Sequence, residues 1–152
     1  MRLVLLFLSV ISASVMAQPK EVFWEDLIPE GYVPPPVSIE HGFEMAQQNL
    51  GAPVVTKFNN TQVKIPGFVV PLEGVQDTVT EFLLVPFFGA CIHVPPPPPN
   101  QIVYVKMAEG VPIVRLSDVV WVVGMLSTDG WTGDLASVGY TLKGETILPY
   151  EG

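Results

Sequence analysis

Pro66 and Gly67 sit inside a strand pattern that continues on both sides of them, and this pair limits the fold more than any other feature of the chain. Over residues 61–72, Val63, Ile65, Gly67 and Val69 share one phase of a two-residue period, while Lys64, Pro66 and Phe68 take the other. Proline has no N–H to give to a ladder, and a glycine within a strand marks a bend or bulge. A straight ladder through residues 66–67 is therefore excluded. A long strand that bends there can turn the corner of a barrel.

The rest of the mature sequence agrees with a β-rich chain. Residues 54–58, the polar pair Asn59-Asn60 and residues 61–72 read as a hairpin. Residues 78–86, 101–107, 116–127 and 137–148, rich in Val, Ile, Leu, Thr, Tyr and Trp, supply the remaining strands. The expected fold is mostly β, either a small closed barrel (OB-like) or a short sandwich, with an irregular N-terminal arm. The barrel is preferred because long bent strands cover their own edges. Asp129-Gly130 reads as a turn that returns Trp131 to the core. The later glycines read as bulges and turns, since none is spaced as a nucleotide-binding loop.

The N-terminus has the order of a secretory signal peptide: Met1-Arg2, an apolar stretch over residues 3–11, then Val15-Met16-Ala17 as a signal-peptidase site. The apolar stretch is too short to span a bilayer. Cleavage after Ala17 predicts a periplasmic protein that begins at Gln18, and no cysteine follows the cut to carry a lipid anchor. The expected organisation is a signal peptide over 1–17, an irregular arm over 18–52 and a β-rich domain over 53–152. The arm contains Trp24, the Glu25-Asp26 pair, the Pro34-Pro35-Pro36 run and a brief helix over 40–50 that Gly51 and Pro53 would end. Adjacent carboxylates such as Glu25 and Asp26 point to opposite sides of an extended chain, so the pair reads as a solvated face rather than as acid/base machinery.

Removal of residues 1–17 leaves 135 of the 152 residues, enough for one domain with a core of its own, and takes the formal charge from −8 to −9. That charge disfavours nucleic acid and anionic membrane surfaces as partners, and leaves an envelope protein as the partner to expect. Cys91 is the only cysteine. No internal disulfide can form, so stability must come from the core although the expected compartment is oxidising.

The segment that stands apart is PFFGACIHVPPPPPN over residues 86–100. Cys91 and His93 are two residues apart, which places both side chains on one side of an extended chain. Thiolate and imidazole both suit zinc and copper, so the pair is a candidate metal site. Further ligands would come from Glu73, Glu81, Asp118, Asp129, Asp134 or His41. The competing account makes Cys91 a small buried residue and His93 a packed or carbonyl-bonded one. A nucleophile and its base rank third, because no orienting third residue stands at a diagnostic spacing. Residues 95–99 form a polyproline II rod of about 15 Å, suited to bracing the loop against Trp121, Trp131 or Tyr104, or to docking in an aromatic groove.

Three stretches of the sequence carry a family likeness. They are residues 65–73 (IPGFVVPLE), residues 81–86 (EFLLVP) leading into residues 88–93 (FGACIH) and the proline run to Gln101, and the opening Trp24-Glu25-Asp26-Leu27-Ile28-Pro29. Together they resemble the bacterial family catalogued as domain of unknown function 3299. The resemblance covers most of the mature chain and implies an exported bacterial protein of uncharacterised role, with no reaction attached. Two functions of different class follow from the residues: an exported accessory protein that binds zinc or copper through Cys91 and His93, and a non-catalytic interaction module of an envelope complex in which both are structural.

Overall fold

The computed structural model describes residues 18–33, 50–91, 96–116 and 118–151. The signal-peptide segment, Pro34 to Pro36, the helix expected over 40–50 up to residue 49, His41 and His93 lie outside the described residues. Among those described, no helix is long and apolar enough to cross a membrane.

The described residues form eight strands: β1 (Lys20–Glu21), β2 (Thr61–Val75), β3 (Thr78–Val85), β4 (Val103–Pro112), β5 (Val120–Ser127), β6 (Trp131–Thr132), β7 (Ser137–Val138) and β8 (Tyr140–Pro149). Five of them close a barrel in the order β2-β3-β4-β8-β5, and β5 returns to β2. All of these pairs are antiparallel except β4 with β8. This is the five-stranded Greek-key barrel of OB type. The short β1 adds to β2 in parallel, outside the ring.

Closure depends on β2. Its first half, from Thr61 to Gly67, pairs with β5, and its second half, from Phe68 to Val75, pairs with β3. The partner changes at Pro66-Gly67, so the pair that interrupts the strand pattern is the corner of the barrel. Gly67 is needed there because β3 passes close by: a Cβ would lie 2.8 Å from the Val85 carbonyl oxygen and 2.9 Å from Leu84 Cγ.

Two apolar clusters result, one on each side of the sheet. Val63, Ile65, Phe82, Val105, Val122 and Leu142 fill the barrel interior. Val70, Leu83, Val85, Ala90, Ile102, Ala136 and Val138 form a second cluster, where the β6–β7 hairpin and the loop after β3 lie on the outer face of β2, β3 and β4. Strands with apolar side chains on both faces follow from this double coverage.

The hairpin expected around Asn59-Asn60 is not formed. Residues 56–58 make a single 3-10 turn, and the edge of β2 that they would have paired with is taken by β5. Phe58 is fully buried in the barrel core, with the ammonium groups of Lys20 and Lys57 over its ring at 5.0 and 4.9 Å. Burying this ring outweighs ladder formation by residues 54–58. The hairpin that does form is β2–β3, turning at Gln76, whose φ is +56°.

Irregular segments are tied to the barrel by a few polar side chains. The buried Tyr140 hydroxyl donates to the Leu27 carbonyl at 2.8 Å and accepts from the Val55 N–H at 2.6 Å. Asn100 donates to the Pro53 carbonyl, Gln101 to the Trp24 carbonyl and the Trp24 indole to the Pro66 carbonyl. Among the described residues no buried side-chain nitrogen or oxygen lacks a partner. The segment over 18–33 is thereby part of the same packed body, with Val22 and Leu27 fully buried in the barrel core.

Candidate functional site

The loop after β3 carries Phe87, Phe88, Gly89, Ala90 and Cys91. Gly89 and Cys91 both adopt positive φ, +82° and +65°. A left-handed residue interrupts extended chain, so the premise that put Cys91 and His93 on one side does not hold at Cys91. Ala90 is fully buried in the second cluster and Cys91 packs against it, partly exposed. Burial pushes the thiol up to about 11. Burial in apolar surroundings thus disfavours the thiolate, the form in which a cysteine attacks. Phe87 and Phe88 are 47% and 75% exposed, with Phe88 edge-on to Phe68 at 5.9 Å.

The carboxylates that sequence offered as further ligands are dispersed. Glu81 already accepts from the Tyr104 hydroxyl and the Lys106 ammonium, each at 2.5 Å. Asp129 accepts from the Ser127 hydroxyl in its own turn. Glu73, Asp118 and Asp134 are exposed. Among the described residues no three His, Cys, Asp or Glu side chains converge as a metal site.

Of the proline run, Pro97 and Pro99 are buried, and the Pro99 carbonyl accepts from the Gly139 N–H at 2.8 Å. Pro99 opens the 3-10 turn Pro99–Gln101 and so ends the expected rod one residue early, and the described prolines are built into the fold beside the hairpin.

Four residues that the sequence did not group together, of which only Lys106 was not singled out there, give the outer face of β3 and β4 its character. Tyr104 and Lys106 alternate on β4 with the inward-facing Val103 and Val105, and Glu81 is the cross-strand partner of Lys106. The Lys106 bond, followed by the Tyr104 bond, holds the Glu81 carboxyl below its usual range, and the Glu81 bond raises Lys106. Burial and then the bond to Glu81 push the Tyr104 hydroxyl up to about 12. Trp131 lies flat on the Tyr104 ring, with centroids 4.4 Å apart and 11° between planes. The β3–β4 register and the β6–β7 hairpin bring these four together. The one sequence signal was the alternation of Tyr104 and Lys106 with two valines.

The architecture agrees with the comparisons to known proteins. The model of the family described as proteins of unknown function (DUF3299) matches residues 24–149. The chain belongs to the DUF3299 family. A crystal structure of a DUF3299 family protein from Pseudomonas aeruginosa PAO1 is similar to it with a TM-score of 0.78 at 42% identity, covering 89% of this chain and 98% of that one. No curated protein matches the chain. Family membership accounts for the likeness carried by Trp24 to Pro29 and by the two longer motifs, and DUF3299 as a family brings no reaction with it.

Proposed function

We propose that this DUF3299 protein is an exported, non-catalytic protein-interaction module of the bacterial envelope, in which Cys91 serves packing. The observation that carries this reading is the placement of Cys91 against the second apolar cluster while the neighbouring Phe87 and Phe88 face solvent. The loop thus turns its reactive group inward and its aromatic groups outward. Exposed aromatic side chains suit protein contact, since they bring large area at small entropic cost. The formal charge of −8 supports a protein partner over a phosphate-rich one.

Native mass spectrometry of protein recovered from the periplasm, alone and with zinc or copper(I), tests the choice between the two functions. The expected result is that wild type and Cys91→Ser each show the mass calculated from their own sequence, with no ion retained by either. One ion retained by wild type and lost in Cys91→Ser would replace this reading with the Cys91/His93 metal site. A photo-crosslinking residue at position 88 supplies the positive arm. It should trap a discrete envelope protein, whereas the same residue at Lys143, exposed on β8, should not.

A further inference from the structure

The outer face of the second and third barrel strands, here β3 and β4, is where an OB-type barrel ordinarily takes its ligand. In this chain that face is covered by the chain itself. We propose that the β6–β7 hairpin is a strap, closed over the β3–β4 face by Trp131 and able to open as a local unit while the barrel stays folded.

The strap has its own small sheet, Trp131 against Val138 and Thr132 against Ser137, separate from the barrel sheet. What holds it down is side-chain packing: the Trp131 ring on Tyr104, the buried Ala136 and Val138, and the Gly139 N–H to the Pro99 carbonyl. Its flanks and tip, Asp129, Gly130, Asp134 and Leu135, are exposed. The cluster beneath it is distinct from the barrel interior, so lifting the strap leaves the interior cluster covered. Elements with few buried contacts and short ladders are the ones that open below global unfolding.

Two details suit the strap to this role. A Cβ at Gly133 would lie 2.1 Å from the Trp131 indole, so glycine there lets the ring lie down against Tyr104. The Tyr104 hydroxyl is held from the barrel side by Glu81, itself paired with Lys106, so the platform keeps its place when the strap leaves. Opening uncovers a flat ring bordered by Leu83, Val85 and Ile102. The indole of Trp131 is the internal occupant of that platform, and any planar or apolar group bound there must displace it. The strap goes beyond the interaction reading and stands whichever surface the partner uses.

Amide hydrogen exchange followed by NMR on the mature chain tests it. The Gly133 N–H, bonded to the Ala136 carbonyl, and the Gly139 N–H report the strap, and β5 amides such as Val122 report the barrel. In wild type the strap amides should exchange through an opening insensitive to low urea, and Trp131→Ala should speed them at least tenfold while β5 amides change less than twofold. Strap and β5 amides sharing one urea dependence in wild type, or accelerating together in Trp131→Ala, would overturn the proposal. Gly133→Ala, which displaces the indole by one methyl group, is read in the same way should Trp131→Ala fail to fold. Failure of both variants to fold would place the strap within the barrel's cooperative unit and end the idea.

Discussion

A Cβ built on Gly67 meets the β3 backbone at 2.8 Å, so Gly67→Val drives a branched side chain into the strand that β2 must join. Overpacking of this kind costs about 1–3 kcal/mol, and more where backbone rather than a flexible side chain has to yield. Thermal unfolding should show a lower midpoint with the strand-dominated circular dichroism retained; an unchanged midpoint would mean that the corner tolerates a side chain. Cys91 makes a second prediction. Its thiol is raised from 9.0 to about 11 by burial, and only the thiolate reacts. Iodoacetamide should therefore modify native Cys91 at pH 8 much more slowly than the same residue in urea, with the native rate climbing as pH rises from about 9 toward 11. Equal rates at pH 8 would show an open thiol. Gly67 was legible because proline and glycine announce themselves in a strand. The backbone at Cys91 was not, since nothing in Gly89-Ala90-Cys91 says that the third residue, rather than the first alone, is left-handed.

At the scale of elements, β2, β3, β4, β5 and β8 each overlap an expected run of branched and aromatic residues, because a strand covered on both faces is apolar, while β2 and β4 run on to Val75 and Pro112 through polar residues that gave no such signal. Asn59-Asn60 misled because a polar pair between apolar runs has the same appearance whether it joins two strands or ends a 3-10 turn, and only the burial of Phe58 separates the cases. The candidate site was least legible of all. The meeting of Glu81, Tyr104, Lys106 and Trp131 depends on the β3–β4 register and on a hairpin of two-residue strands, neither of which local pattern encodes. This cluster carries a pH prediction. Glu81 has its folded pKa lowered from 4.5, so its contribution is present above the unfolded value and is lost as pH falls through the folded one. Melting of wild type and Glu81→Gln should differ at pH 7 and converge as pH is taken below 4. The pair is largely exposed on the lysine side, with 67% of the Lys106 side chain accessible, so the difference should be small and shrink in salt. A gap that widens in acid would contradict the lowered carboxyl.

For the whole molecule, the segment over 18–33 has the least regular sequence and one of the largest structural roles. It contributes a two-residue strand and a single 3-10 turn, too little for any period to register, yet Val22 and Leu27 are both completely buried in the barrel core. Burying side chains of this size is worth about 1.5–3 kcal/mol each. The bonds from Trp24 to Pro66, from Gln101 to Trp24 and from Tyr140 to Leu27 add to this and are lost with the segment. Domains of this size hold only about 5–15 kcal/mol in total. A chain beginning at Gln18 should therefore unfold cooperatively in urea, whereas one beginning at Glu30 should have lost most of its stability and show a shallow transition or none. The Tyr140→Phe variant of the longer chain separates the two contributions. It removes one hydroxyl that serves both Leu27 and Val55, leaves Val22 and Leu27 in place, and should cost about 1–3 kcal/mol with an unchanged urea slope. Should the chain from Glu30 match the chain from Gln18 in midpoint and slope, the barrel would be closed without its N-terminal segment, and Val22 and Leu27 would be passengers in the core that they fill.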